Sequence, residues 1–472
     1  MAFNNIDKKL LLIIIIASTI FFNITETSAQ KKNIIFLLAD DAGYHDFGFH
    51  GSKYFKTPNL DKLAKQGVLF KEAYTTAAVC GPSRAGFITG MYQQRYGIED
   101  NNVPGYMSQS SKLLGDDMGL PLHIKTIANY LKPQGYKSVI FGKWHLGGND
   151  EYNPLYRGFD EFYGFRGGAR SFYALSQKEA AEKRLDRWEK GLGVFEEPKK
   201  YLTDEIADEA CDFIDRNKKN PFFMYVSFNA VHTPLEAEQQ DLDQFPNLKG
   251  KRKKLAAMTF AMDRACGRIL DKLKELGLDE NTLVVFANDN GGPDGSNTSN
   301  YPLSGCKSNH LEGGIRVPCI IKLPNVVTPN TVYEEPISML DMLPTFVNVA
   351  QGDASKIKGL DGVDLIPFIT GKNKKVPHEM LFWKKENRGV VRKGDWKMLR
   401  FPDRPAELYN IKKDITENNN LAYKYPDKVR EMFKDLWNWE SELERPLWQL
   451  KRVYEVNAMK RMDVKRDPIL DK

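Results

Sequence analysis

The chain has 472 residues, 42% of them hydrophobic and 28% charged, with 36 glycines and 24 prolines. That balance excludes a disordered, collagenous or disulfide-scaffold protein and leaves room for a large core. The 68 lysines and arginines exceed the 62 acidic residues by a net +6 spread along the chain, which suits an anionic substrate and gives no sign of nucleic-acid binding.

Lys8 and Lys9 precede an apolar run over residues 10–22 and a small-residue site at Thr27-Ser28-Ala29. This pattern reads as a signal peptide over residues 1–29, cleaved before Gln30, with a periplasmic or secreted product. The competing reading is an uncleaved anchor, but the run falls short of the roughly 20 residues a span needs, and no later stretch resembles one.

Five apolar runs then alternate with helical patterns: NIIFLLA (33–39), 138–141, PFFMYVSF (221–228), TLVVFA (282–287) and 319–322. Continuous apolar strands between helices predict an α/β fold, a large, mixed, mostly parallel sheet sandwiched by helices. A helix begins at Thr57 as N-cap with Pro58 at its first position and closes at Gly67; two more are predicted over 203–215 and 255–276. The basic run KGKRKK (249–254) reads as a solvated helix start rather than a polyanion contact. After Thr345 short strands at 380–383, 389–392 and 396–400 and a helix from Pro426 to about Glu444 predict a smaller α+β domain with a short antiparallel sheet. The expected division is a catalytic domain at 31–375 and a C-terminal subdomain at 376–472.

Polar clusters follow the strands: Asp40-Asp41; Lys143 and His145; His232; Asp289-Asn290. In open α/β sheets ligands bind outside the carboxyl ends of the strands, so the four clusters are expected to meet. Two acidic pairs without a thiolate or imidazole cluster suit Ca2+, and Mg2+ less well, rather than Zn2+. Lys143 and His145 add cationic donors for an anionic group and a leaving-group oxygen. In GCKSNHLEGGIRVP (305–318) Lys307 reads as functional, Glu312 and Arg316 as a structural ion pair. The cysteines number five, an odd count that leaves at least one unpaired; Cys211, Cys266 and Cys319 fit core positions, and Cys80 alone precedes a Pro-Ser-Arg step at a helix start.

CGPSRAGFITG (80–90) resembles the formylglycine sulfatase signature, carried here by Cys80, Pro82, Ser83, Arg84, Thr89 and Gly90. The resemblance continues in order through LADDAGYHDFGFHGS, GKWHLGG, VHTP, NDNGG and the Lys307 segment to GDWKMLRF and ELYNIKKD, and with RGFDEFYG it is similar to N-acetylgalactosamine-4-sulfatase-like and bacterial polysaccharide sulfatases. It implies an alkaline phosphatase-like fold and hydrolysis of sulfate esters. It also implies that a formylglycine-generating or anaerobic sulfatase-maturing enzyme converts Cys80 to an aldehyde. In such a site the hydrated aldehyde attacks sulfur with one hydroxyl and releases sulfate through the other.

By the same resemblance Asp40, Asp41, Asp289 and Asn290 would hold Ca2+ with an oxygen of modified Cys80, and Arg84 would hold the diol. Lys143 and Lys307 would neutralise sulfate oxygens, His145 would assist collapse of the hemiacetal, and His232 with Lys307 would serve the leaving oxygen. His45, His50, Arg170, Ser171 and His310 fall where substrate contacts are expected, and the start of the Cys80 helix is expected to help hold the sulfate charge. The expected substrate is a sulfated carbohydrate, such as ulvan, carrageenan or their oligosaccharides. Two alternatives stand beside it: a phosphatase or phosphodiesterase of the same superfamily, and a non-catalytic sulfated-glycan binder if Cys80 stays a thiol.

Overall fold

The computed structural model describes residues 31–464, so the leader at 1–29 lies outside the described residues. Ten strands build the main sheet in the order β10-β2-β8-β7-β1-β6-β3-β4-β5, with β9 on β2. They are β1 (Asn33–Ala39), β2 (Val68–Tyr74), β3 (Lys137–Lys143), β4 (Glu161–Phe165), β5 (Glu189–Lys190), β6 (Phe222–Ser227), β7 (Thr282–Asn288), β8 (Arg316–Lys322), β9 (Thr331–Tyr333) and β10 (Ile337–Ser338). The central strands β7, β1, β6 and β3 are parallel, and β8 runs antiparallel to β7 and β2. All seven residues of β1 and of β7 are buried, as strands covered on both faces must be.

Helices α1 (Pro58–Gln66), α3 (Leu202–Asn217) and α4 (Gly250–Glu275) belong to one covering layer, while α2 (Cys80–Thr89) and α5 (Met342–Val349) belong to the other. Alternate residues of β1 separate the two cores: Ile35 and Leu37 face the first, Ile34, Phe36 and Leu38 the second.

Two local expectations differ, and one strand carries no clear sequence signal. Residues 68–74 form β2, where a register shift between Phe70 and Ala73 around Lys71-Glu72 interrupts the apolar pattern that marks a strand. Thr57 stands at the N-cap, but its hydroxyl donates to Asp61 Oδ1 at 3.0 Å, and the amides of Asn59 and Leu60 donate to Asp263 of α4 at 3.2 and 2.8 Å. The cap is thus supplied by a tertiary neighbour. In the basic run, Arg252 pairs with Asp46 at 2.6 Å and covers the Phe55 ring, so that cation is a packing residue rather than a solvated one.

The second sheet is antiparallel, β11 (Met380–Lys385), β12 (Arg388–Lys393), β13 (Trp396–Arg400) and β14 (Glu407–Asn410), followed by α6 (Pro426–Glu440) and α7 (Arg452–Val464). A buried charge network joins the two sheets. Lys397 Nζ lies 2.9 Å from both Glu312 and Glu417, all three side chains fully buried, and Tyr74 donates to Glu312 at 2.6 Å. The chain after α6 then returns to the main core, where Trp448 is buried and donates to the Asp100 carbonyl at 2.9 Å.

Candidate active site

Because β1 lies between β7 and β6, with β3 beyond β6, the polar residues after these strands come together at one edge of the sheet. Asp41 and His145 hold positive φ angles of 62° and 60° there, a conformation uncommon for residues with a Cβ and a mark of tightly specified turns. Gly142, at the end of β3, has φ +93°, and a Cβ on it would lie 2.0 Å from the Ser227 carbonyl, so only glycine lets β3 and β6 close up beneath the site.

Cys80 opens α2, and Arg84 lies one turn on, on the same face. The Cys80 Sγ lies 3.5 Å from Asp40 Oδ1, 3.8 Å from Asp41 Oδ1 and 3.2 Å from Lys307 Nζ. Lys143 Nζ meets Asp40 Oδ2 at 2.6 Å and Lys307 Nζ meets Asp41 Oδ2 at 2.7 Å. Arg84 donates twice to Asp289 Oδ2, at 3.0 and 2.8 Å, and its remaining amino group to Ser227, Tyr225 and the Lys143 carbonyl. Asp289 Oδ1 accepts the Asp41 amide at 3.2 Å, and Asn290 Nδ2 donates to Asp41 Oδ1 at 2.7 Å. Two buried cations, Lys143 and Arg84, and the part-buried Lys307 therefore face three buried carboxylates, the condition under which such charges are tolerated.

The electrostatics follow from that arrangement. Burial opposes ionisation of Asp40, yet Lys143, His232 and Arg84 outweigh it and hold the carboxyl well below its usual range. Burial also raises Asp289, to about 6, with Asp40 adding to the shift. The Cys80 thiol is pushed well above its ordinary value by burial and by Asp289, so as a thiol it is a poor nucleophile despite its place at a helix start. The Gly81 amide is taken by Asn101 Oδ1 at 2.8 Å, which leaves fewer free amides at that helix start for an anion than expected. His232 donates through Nδ1 to the Thr233 carbonyl at 2.7 Å, which turns Nε2 towards Asp41 Oδ2 at 3.4 Å. The His145 ring lies against Gly168, where a Cβ would come within 2.7 Å of Nε2, and burial, then Lys143, keeps it neutral.

Asp40, Asp41, Cys80 and His232 offer ligand atoms that all lie within 4.8 Å of one another. Asn290 Oδ1 is buried without a hydrogen-bond partner beside them, a hard oxygen donor of the kind Ca2+ takes. The donor set therefore fits the expected cation, with Asp289 held adjacent by Arg84.

Residues 32–352 match the sulfatase family, and residues 307–445 match the family described as N-sulphoglucosamine sulphohydrolase, C-terminal. The chain belongs to the sulfatase family. Steryl-sulfatase of Mus musculus is 32% identical over 428 residues, 74% of this chain and 67% of the relative. N-acetylgalactosamine-6-sulfatase of Mus musculus is 31% identical over 382 residues, covering 78% and 72%. Among solved structures, that of Ps i-CgsB in complex with k-i-k-neocarrahexaose is 34% identical with a TM-score of 0.83, covering 92% of this chain and 98% of that one.

This sulfatase places the expected substrate-side residues in varied settings. The His45 ring meets Tyr301 edge-on at 5.3 Å. His50 is wedged among Tyr44 and Phe49, with burial depressing its pKa to about 3. Arg170 is bound to Glu197 at 2.7 Å and Ser171 donates to Glu236 at 2.8 Å, so both brace their own loop. Tyr225 and Ser227, which hold Arg84, were not foreseen; the signal was two hydroxyls at alternate positions of an otherwise apolar strand. A larger surface concavity of about 700 Å³ lies between Tyr173, Lys200 and Arg268, remote from Cys80 in its lining.

His310 is buried, and desolvation followed by Arg388, Lys385 and Lys397 holds its pKa well below the ordinary value. The unfolded chain takes up this proton below about pH 6.5 while the folded chain refuses it, so stability falls as pH drops through that region. His310→Phe is expected to flatten the fall between pH 6.5 and 5 by up to about 1.4 kcal/mol per pH unit, read from urea unfolding at several pH values. An unchanged slope would contradict the assignment.

Proposed function

We propose that this sulfatase hydrolyses sulfate esters on a sulfated carbohydrate, using formylglycine made from Cys80 and a Ca2+ bound by Asp40, Asp41, Asp289 and Asn290. The observation that carries the reading is the Cys80 side chain within 3.8 Å of two carboxylates and a lysine, where a thiol is unreactive and a hydrated aldehyde would be held for attack. Formylglycine supplies a second hydroxyl for releasing sulfate, and the cation lowers the pKa of the first and neutralises sulfate oxygens. Lys143 and Lys307 balance the charge of the incoming sulfate, and His232 presents Nε2 on the same side as Lys307, where a leaving oxygen would take a proton. Arg84 fixes Asp289 and, through the Lys143 carbonyl, the end of β3.

Cys80 is only 1% exposed, which supports maturation by a formylglycine-generating or anaerobic sulfatase-maturing enzyme before folding is complete. The expected leader and the expected polysaccharide substrate together favour a periplasmic or secreted enzyme. Among the described residues no helix is long and apolar enough to cross a membrane. The relative solved with neocarrahexaose bound supports a carrageenan-type substrate, while ulvan stands on the sequence resemblance alone. The phosphatase alternative is disfavoured by the donor set, mainly carboxylates with one imidazole, which does not suit two Zn2+ ions.

A panel of defined sulfated oligosaccharides, with free sulfate read by ion chromatography, tests the proposal. Sulfate release is expected, lost on chelation and restored by Ca2+. Turnover of phosphate esters with none of sulfate esters would overturn it.

A further inference from the structure

A cleft of about 270 Å³ leads outward from Lys307, and none of its outer residues was expected from the sequence to take part in the reaction. Asp100 and Lys385 face each other in it at 2.7 Å, each side chain 7% exposed. Asn101 links the cleft to the reacting residue, since its Oδ1 accepts the amide of Gly81, next to Cys80. At the rim Tyr106 and Tyr454 stack with centroids 4.4 Å apart, and Tyr106 is half exposed. The walls are fixed: Lys451 N donates to the Tyr106 carbonyl at 2.9 Å, Ser108 N to the Gln449 carbonyl at 2.7 Å, and Arg388 pairs with Glu455 of α7 at 3.0 Å.

We infer that this cleft, built jointly by the 100–107 loop, β11 and α7, is the specificity site for the sugar ring that carries the scissile sulfate, with the Asp100–Lys385 pair reading adjacent hydroxyls. The inference rests on the sulfated-carbohydrate reading. Three features select the occupant. The ring must lie beside Lys307, because Lys307 touches Cys80. The Lys385 charge is already balanced by Asp100, which favours hydroxyls over a second sulfate there. Val79, Val103, Met107 and Leu450 share the walls with Asp100 and Lys385, a mixed lining that suits a sugar better than a wholly apolar sterol-like group. A neighbouring carboxylate and ammonium offer an acceptor and a donor side by side, which matches two vicinal hydroxyls, and the tyrosines suit the C–H face of a sugar. The volume lies just below the range of about 300–1,000 Å³ for sites of drug-sized ligands, consistent with one ring.

The test compares kcat/KM for the best singly sulfated oligosaccharide of the panel with that for 4-nitrophenyl sulfate, in the wild type and in Asp100→Asn, Lys385→Met and the double variant. The ratio is expected to fall about 10- to 100-fold in each, through KM of the sugar, because hydrogen bonds from charged groups are lost. Tyr106→Ala, at an exposed position, is expected to lower the ratio about 5- to 10-fold and provides the readout if the buried variants do not fold. An unchanged ratio, with both substrates losing in parallel or neither losing, overturns the inference. So does a Lys385→Met loss confined to disulfated substrates, which would make Lys385 a second-sulfate ligand. A wild type that desulfates aryl or steryl sulfates and no sugar would instead overturn the carbohydrate reading, and this inference with it.

Discussion

Replacing Cys80 by alanine is expected to lower sulfate release by about 10⁴-fold or more, since removal of a covalent nucleophile leaves only what binding and electrostatics supply. The fold should survive. Lys143–Asp40, Lys307–Asp41 and Arg84–Asp289 remain paired without the thiol, and the loss of one small buried atom shifts the thermal midpoint by about 3 °C or less. The same preparation provides a control on maturation. The wild-type peptide containing Cys80 should carry an aldehyde that reacts with a hydrazide probe, and the alanine variant should not. Full activity in the variant, or an alkylatable thiol in fully active wild type, would refute the formylglycine reading while leaving the fold assignment intact.

The second large effect concerns stability. Lys397→Met is expected to destabilise the chain by about 3–5 kcal/mol, because it strips the shared cation from two buried carboxylates. The two are not equivalent. Burial works against Glu312, but Lys397, Arg316 and Arg392 outweigh it and hold its pKa near 2, whereas burial and then the neighbouring Glu312 push Glu417 up to about 7. Lys397 therefore mainly compensates an ionised Glu312, which reaches across from the segment preceding β8 to the C-terminal sheet. Adding Glu312→Gln to Lys397→Met should recover part of the loss, as it removes the carboxylate that Lys397 mainly compensates while Arg316 and Arg392 keep Glu72. Denaturant unfolding measures both steps; additive losses in the double variant would show that the pair is not coupled.

The outline of the large domain was legible in the chain because a parallel sheet buries both faces of its strands. The runs at 33–39, 221–228 and 282–287 read as uninterrupted apolar segments, and the structure places β1, β6 and β7 there. Strands lacking that signature were missed: β2 is broken by Lys71-Glu72 at its bulge, and β14 is four residues long. Helix starts were legible only in part, since the α1 cap comes from Asp263, some two hundred residues away. The basic start of α4 looked solvated because neither Asp46 nor Phe55 is near it in the chain.

By itself the sequence determined the family and marked Cys80, the acidic pairs and the two lysines as candidate site residues, because these lie in short motifs at strand ends whose spacing depends on local turns. Tertiary structure alone decided what each group faces. Strand order brings Asp40, Asp41, Cys80 and His232 within 4.8 Å, gives Arg84 to Asp289, Tyr225 and Ser227, and returns the C-terminal helix so that Tyr454 meets Tyr106. Those partners are separated by tens to hundreds of residues, and no periodicity or local propensity encodes a contact formed only when distant segments pack on a shared core.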